Sequence, residues 1–211
     1  MKTIRRMLLD KYLSKNINLM TGDVIDIGGK KGNKRGDFRP PLPQVKSWQY
    51  VNLDKSTNPD FCCSAERIPI PDDAFDTALL CEVIEHLEKP EKVLREAFRI
   101  LKSRGVLIIS APFLFPVHAD PYDFQRWTDT KIRFELESLG FSDVKINLMG
   151  GTGAVIYDLL LITFMNVQNR YCKSLGLLGL KLTRPVFTVL DKALKSTERI
   201  ITTGYFVIAK K

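Results

Sequence analysis

Apolar residues recur along the chain at two spacings, one typical of buried strands and the other of amphipathic helices. Strands that alternate with helices indicate mainly parallel pairing, so the expected fold class is α/β, a seven-stranded sheet with helices on both faces. The pattern predicts strands at 24–27, 50–53, 60–63, 75–80, 106–110, 144–148 and 205–209, and helices at 3–17, 89–102 and 128–139.

The length and net charge of the chain limit its domain organisation and the kinds of partner it can bind. The 211 residues suit one domain, 1–211, with residues 150–200 as extra material between the last two strands. A formal net charge of +8 favours anionic partners, but no nucleic-acid-binding module is recognisable, so no nucleic acid is expected. The four cysteines lack CxxC pairing and nearby histidines, so we expect free thiols and no metal. No apolar run suits a signal peptide or a membrane span, which predicts a cytoplasmic protein.

A glycine turn follows the first predicted strand. Asp26, Gly28, Gly29 and Gly32 stand in the stretch VIDIGGKKGN, where glycine lets the backbone come close to a ligand. Asp54 follows the second predicted strand, at the distance where an acid can receive ribose hydroxyls. Ligands bind beyond the carboxyl ends of parallel strands, so these residues predict a nucleotide-type site.

The segment from Cys63 to Phe113 strengthens this interpretation. It contains Ser64-Ala65-Glu66, Ile68-Pro69-Ile70, Phe75-Asp76, Glu85-His86 and the stretch Arg99–Gly105. This segment resembles the core of the class I S-adenosylmethionine-dependent methyltransferases, in particular the ubiquinone-biosynthesis (type 11) group. The resemblance extends over about residues 20–148 and then 205–211. The resemblance implies a Rossmann-like sheet with an antiparallel last strand and S-adenosylmethionine as cofactor. The cofactor-binding residues it implies are Asp26, Gly28, Gly29, Gly32, Asp54, Ser64, Ala65, Glu66 and Cys81.

Two positions depart from the family pattern. Lys30 replaces the middle glycine of the turn, and Ser64 replaces the acid that meets the adenine amino group. A serine hydroxyl can still accept that hydrogen bond, and Lys30 can point outward. These departures also leave open a non-catalytic scaffold protein with a degenerate cofactor pocket.

The segment Ala111–Thr128 follows the fifth predicted strand and resembles a block found in bacterial methyltransferases encoded among polysaccharide-synthesis genes. His118 is the candidate general base for a hydroxyl nucleophile, and either Asp120 or Asp123 is the residue that orients it or acts instead. Tyr122 and Arg126 are candidate acceptor-binding residues, Arg126 by gripping a phosphate or carboxylate. Alternatively, His118 and Asp123 brace the loop, Arg126 pairs with Asp123 as a clasp, and Glu85-His86 is a solvated helix start.

These observations predict a metal-free methyltransferase that O-methylates a small molecule or a glycan, including a lipid-linked glycan. The Asn/Asp-Pro-Pro-aromatic cluster of amino-methylating nucleic-acid enzymes is missing after the fourth strand, where Cys81-Glu82-Val83 stand instead. An apolar helix after Gly150–Gly153 and an amphipathic stretch, Val186–Leu194, are predicted within 150–200. That insertion is a lid, a homodimer interface, or an element lying on the anionic inner face of the membrane.

Overall fold

A computed structural model of the chain describes residues 1–32, 36–40, 43–194 and 201–211. The described residues form one six-stranded sheet and five α-helices, joined by loops and single 3-10 turns. The elements are α1 (Ile4–Lys15), β1 (Gly22–Ile27), β2 (Val45–Val51), β3 (Phe75–Cys81), α2 (Pro90–Ile100), β4 (Leu101–Pro112), α3 (Asp129–Ser138), β5 (Ser142–Leu148), α4 (Thr152–Asn166), α5 (Arg170–Ala193) and β6 (Gly204–Lys210).

The strands lie in the order β2-β1-β3-β4-β6-β5. β1 to β4 pair in parallel, while β6 is antiparallel to both of its neighbours. This confirms a mostly parallel α/β sheet with an antiparallel last strand. It brings the carboxyl ends of β1, β2, β3 and β4 to one edge of the sheet.

The predicted count of seven strands is wrong. The predicted strand at 60–63 is a single parallel bridge between Phe61 and Val51, beyond the β2 edge. The carboxylate of Asp60 accepts the backbone N–H of Tyr50 at 2.8 Å. A side chain thus occupies the N–H group that would otherwise pair with the backbone of a further strand. The predicted helix 89–102 also ends earlier, at Ile100, because β4 begins at Leu101.

Alternation along the strands builds a core on each face of the sheet. In β4, Leu107 and Ile109 belong to one apolar cluster, while Ile108 between them belongs to the other. α2 and α3 pack on the first face, and α1 packs on the second through Leu9 and Leu13. Helices therefore cover both faces, as the pattern predicted.

The insertion consists of α4 and α5, packed together against α1. α4 lacks a capping side chain of its own, and Asp191 of α5 accepts the backbone N–H groups of Gly151, Gly153 and Ala154 instead. α5 starts at Arg170, where the Asn169 side chain caps it, and runs through Pro185. The predicted amphipathic stretch after Pro185 is thus the last part of one long helix, and residues 195–200 lie outside the described residues.

Candidate active site

The glycine turn after β1 is fixed by close packing. Gly28 has φ of 81°, and a Cβ there would lie 2.6 Å from a methyl group of Val83. A Cβ on Gly29 would lie within 2.4–2.7 Å of the Asp26 carboxylate. The Asn52 side-chain amide donates to the carbonyl oxygens of Gly28 and Gly29, at 3.2 and 3.0 Å. Asn52 is a supporting residue that sequence reasoning missed, because its role depends on β2 lying beside β1.

Two cavities flank the turn at the carboxyl ends of the strands. The larger, about 340 Å³, is lined by residues that follow β1, β2 and β3. The smaller, about 240 Å³, lies towards α1. Lys30 lines both cavities, and its amino group lies 3.5 Å from the Asp120 carboxylate. It therefore stands between the two cavities.

The nine predicted cofactor-binding residues divide between these cavities. The smaller cavity also contains Arg6 and Asp10 from α1, together with the buried ring of Tyr50, whose pKa burial raises to about 12. Gly28, Asp54, Ser64, Ala65 and Glu66 line the larger cavity, whereas Asp26, Gly29, Gly32 and Cys81 line the smaller one.

The polar side chains at the larger cavity already have partners within the chain. One oxygen of Asp54 accepts the backbone N–H of Ser56 at 2.9 Å and its hydroxyl at 2.6 Å. These hydrogen bonds lower the pKa of Asp54, so its carboxyl is ionised at neutral pH. The Ser64 hydroxyl accepts the N–H of Glu66 at 3.2 Å. Both side chains are thus oriented by local turns.

A buried ion pair closes the cavity towards α1. Glu82, which has φ of 58°, pairs with the guanidinium of Arg5 and accepts the Ser110 hydroxyl at 2.8 Å. Burial opposes ionisation of Glu82, but Arg5 and Ser110 hold its pKa below the usual range. Arg5 also lies over the ring of Phe115, 4.0 Å from its centroid. α1 is therefore part of the site, which the sequence pattern did not predict.

The loop after β4 is held by a clasp. Both carboxylate oxygens of Asp123 accept hydrogen bonds from the Arg126 guanidinium: Oδ1 from Nη1, and Oδ2 from Nη2 at 2.6 Å. Arg126 lowers the pKa of Asp123 to about 2. The same carboxylate accepts the backbone N–H of His118 at 2.9 Å. Asp123 and Arg126 thus form the clasp that the sequence left open as an alternative, while Tyr122 is exposed on the surface.

Beside this loop, two histidines face one buried carboxylate. Oε1 of Glu85 lies 3.6 Å from Nε2 of His118 and 3.7 Å from Nε2 of His86. Glu85 is only 1% exposed, and neither of its oxygens has a hydrogen-bond partner among the described residues. Glu85 raises the pKa of His118, against burial, which lowers it. The alternative of a solvated helix start does not describe Glu85.

Comparison with known proteins bears on this arrangement. Residues 43–109 match the type 11 family, described as "Methyltransferase domain". The mitochondrial 2-methoxy-6-polyprenyl-1,4-benzoquinol methylase of Caenorhabditis elegans is 31% identical over 86 residues, which are 41% of this chain and 25% of that protein. Over these residues the chain is similar to the class I S-adenosylmethionine-dependent methyltransferases. Its cofactor is S-adenosylmethionine, and the glycine turn, the Asp54 carboxylate and the small Ala65 side chain around the larger cavity fit that molecule.

Solved structures share the fold of nearly the whole chain. An Archaeoglobus fulgidus S-adenosylmethionine-dependent methyltransferase has a TM-score of 0.59 at 20% identity, covering 98% of this chain and 94% of that one. The [4+2]-cyclase SpnF has a TM-score of 0.61 at 15% identity, covering 96% and 79%. Because a cyclase shares the fold, the fold alone does not fix the reaction.

The match to the quinol methylase spans only a quarter of that relative's length. Among the described residues, no helix is long and apolar enough to cross a membrane.

Proposed function

We propose that the chain transfers the methyl group of S-adenosylmethionine to a hydroxyl of a small-molecule or glycan acceptor. The observation that carries the proposal is the cluster of Glu85, His86 and His118 at the border of the larger cavity, which His86 lines. A hydroxyl must lose its proton as it attacks the sulfonium methyl group, and a histidine beside the cofactor cavity can receive it.

The larger cavity is the proposed cofactor site. Asp54 accepts the ribose hydroxyls, Ser64 and Ala65 border the adenine, and Gly28 brings its backbone close to the ligand. The cofactor supplies an electrophilic methyl group, and the chain supplies alignment for in-line displacement. We assign Asp26, Gly29, Gly32 and Cys81 to the far side of the turn, where they support it, and Glu66 to the adenine end.

His118 and Asp123 are the proposed catalytic pair. Asp123 anchors the backbone of His118, so it positions the base. Arg126 is held by Asp123, and its Nη1 donates to the carbonyl oxygen of Gln125 at 2.9 Å. We therefore propose that Arg126 serves mainly to hold the loop, and only secondarily to contact the acceptor. Tyr122 is exposed and directly follows Pro121, which lines the larger cavity, and it remains the proposed acceptor contact.

C-methylation of a lipid-tailed quinol ring is a second candidate reaction. The relative from Caenorhabditis elegans is named a polyprenyl benzoquinol methylase. Removing a proton from a ring hydroxyl also activates the ring carbon, so the same base serves either reaction. The position of a labelled methyl group in the product, on oxygen or on carbon, separates the two candidates.

A membrane-facing α5 fits either lipid-linked acceptor. Exposed apolar side chains recur every three or four residues along α5, at Tyr171, Leu175, Leu178, Leu182, Val186 and Val189. Among the described residues that line the two cavities, none belongs to α4 or α5, which favours a surface role over a lid. We propose a cytoplasmic protein that touches the anionic inner face of the membrane, with homodimerisation through α5 as the alternative.

Calorimetry with S-adenosylmethionine and S-adenosylhomocysteine tests the cofactor site. We expect binding by the wild type and about 10- to 100-fold weaker binding by Asp54→Ala, because a charged acceptor of hydrogen bonds is lost. Ser56→Ala, which keeps the carboxylate, is the matched control for the local turn. If the wild type gives no heat with either ligand near millimolar concentration, the protein is a scaffold.

A further inference from the structure

We infer that Glu85, His86 and His118 form a binding site for a divalent transition-metal ion such as Zn²⁺. The inference goes beyond the proposed methyl transfer and stands on the geometry of three side chains. It replaces the sequence-based expectation of a metal-free site, which rested on spacing along the chain.

The ring hydrogen bonds decide which nitrogen atoms face the centre of the cluster. Nδ1 of His86 lies 2.6 Å from the carbonyl oxygen of Tyr122, and Nδ1 of His118 lies 3.2 Å from that of Pro116. A carbonyl oxygen only accepts, so each Nδ1 carries its proton. In the neutral rings, both Nε2 atoms therefore present lone pairs. Metal-binding histidines are oriented in the same way, by donating the other ring N–H to a carbonyl.

Three acceptor atoms consequently converge without a donor between them. Oε1 of Glu85 is 3.6 and 3.7 Å from the two Nε2 atoms, which is too long for a hydrogen bond even if a ring is protonated. Two ligands about 2.1 Å from a tetrahedral ion lie about 3.4 Å apart, close to the separations seen here. One possible ligand atom from each of the three side chains lies within 4.8 Å of the other two. A cation at their centre satisfies all three.

Burial and the neighbouring charges support a cation at this place. The Glu85 carboxylate is 1% exposed and both of its oxygens lack hydrogen-bond partners among the described residues, which is costly for an ionised group. Nearby Glu82 is already neutralised by Arg5, and Asp123 by Arg126. Glu85 is therefore the carboxylate of this cluster that has no arginine in direct contact and faces only the two histidine rings.

Two imidazoles and one carboxylate suit Zn²⁺, Co²⁺ or Fe²⁺ better than Mg²⁺ or Ca²⁺, which prefer all-oxygen sites. Three protein ligands leave a position open for water or an acceptor oxygen. If the proposed function holds, an ion there binds the acceptor hydroxyl beside the cofactor cavity and lowers its pKa, so the cluster acts on the proton through the ion. Metal binding itself does not depend on that reaction.

Co²⁺ alone is the first probe, because its visible spectrum reports its ligands. We expect one Co²⁺ per chain, with weak d–d bands and no thiolate charge-transfer band, displaced by Zn²⁺. His118→Ala and Glu85→Gln should each weaken binding at least about 100-fold. Cys62→Ser, which removes an exposed thiol, is the control and should bind like the wild type. Unsaturable binding, or binding that survives both ligand variants, would overturn the site.

Nuclear magnetic resonance of the unsubstituted chain tests the site without relying on variants that could fail to fold. The chain has only two histidines, so ¹⁵N-histidine labelling gives the two rings of this cluster and no others. Adding Zn²⁺ should shift both Nε2 resonances and leave both Nδ1 atoms protonated. Unchanged Nε2 resonances at saturating Zn²⁺ would refute the site, whether or not the protein binds S-adenosylmethionine or transfers a methyl group.

Discussion

His118 is oriented from two sides at the residue scale. Its backbone N–H is held by Asp123, and its ring donates through Nδ1 to the Pro116 carbonyl. Phe115 packs edge-on against the ring, with centroids 5.4 Å apart. Because the loop fixes the ring, Nε2 is directed at Glu85. This orientation supports a chemical role for His118 more than a bracing one.

Replacing His118 should remove activity and spare the cofactor site. We expect His118→Ala to lower kcat by about 10²–10⁴-fold, the usual contribution of a positioned acid or base. Single-turnover assays with the true acceptor measure this effect. Affinity for S-adenosylhomocysteine and the thermal midpoint, measured on the same sample, report whether the fold is intact. Near-normal turnover would exclude His118 from the mechanism.

The sequence identified several site residues and one local pair, but not the partners that come from distant segments. His118, Asp123 and Arg126 could be chosen because they are close in sequence and chemically suited to the task. The burial of Glu85 and the approach of Arg5 to Glu82 depend on segments far apart in the chain, which no local pattern encodes. Chemical type and the local pairing of Asp123 with Arg126 could therefore be anticipated, whereas pairing between distant segments could not.

At the scale of elements, α5 combines an apolar row with positive charge. Its basic residues are Arg170, Lys173, Lys181, Arg184 and Lys192, and its single acidic residue, Asp191, is used to cap α4. The outer surface of α5 therefore carries apolar and cationic side chains without a competing carboxylate. That combination is typical of helices that lie on anionic bilayers.

We expect the protein to co-sediment with anionic vesicles but not with neutral ones, and less strongly as salt is raised. Leu178→Asp and Leu182→Asp should each lower binding about ten-fold or more, because burying a leucine is worth about 1.5–3 kcal/mol. Phe134→Asp, an exposed apolar position on α3, is the matched control.

Equal pelleting with both vesicle types, or with neither, would instead support the dimer alternative. Light scattering on the same two α5 variants then shows whether Leu178 and Leu182 hold two copies together.

Strands and helices with a clear pattern of apolar residues could be predicted from the sequence, whereas those with a weak pattern could not. The buried runs of β1, β3 and β6 and the amphipathic α1 were found close to their observed bounds. Residues 60–63 have a strand-like composition, but the Asp60 side chain takes the place of a backbone partner. In α5, Pro185 suggested a helix boundary, although tertiary packing carries the helix through it.

At the scale of the whole molecule, one buried carboxylate joins the insertion to α1. Asp158 of α4 is 1% exposed and accepts the backbone N–H groups of Ile4 and Arg5, at 2.6 and 3.0 Å. Those groups have no partner within α1, because they lie in its first turn. Burial raises the pKa of Asp158 to about 6, and nearby Asp191 adds to this, although Arg5 and the two N–H groups oppose it.

The raised pKa predicts a pH dependence of stability. The folded chain holds a proton on Asp158 up to about pH 6, whereas the unfolded chain releases it near 3.8. The contribution of Asp158 to the free energy of unfolding is therefore greatest below the unfolded pKa. It falls by about 3 kcal/mol as pH rises through the folded value.

Urea unfolding at about pH 4.5, 6 and 7.5 measures this loss. Asp158→Asn keeps a carbonyl acceptor and cannot titrate, so its stability relative to wild type should rise between pH 4.5 and 6 and then level off by pH 7.5. Parallel pH profiles for the two proteins would contradict the assignment.

The contacts of Ile4 and Arg5 also show which N-terminal residues a truncated version of this protein must retain. The family match begins at residue 43, yet Arg5 neutralises Glu82 at the larger cavity. The same two residues tie α4, and through it α5, to the sheet. A fragment that starts at residue 43 would therefore carry the segment that matches a methyltransferase domain but would lack Arg5, the counter-charge of Glu82. An engineered minimal version has to keep the first helix.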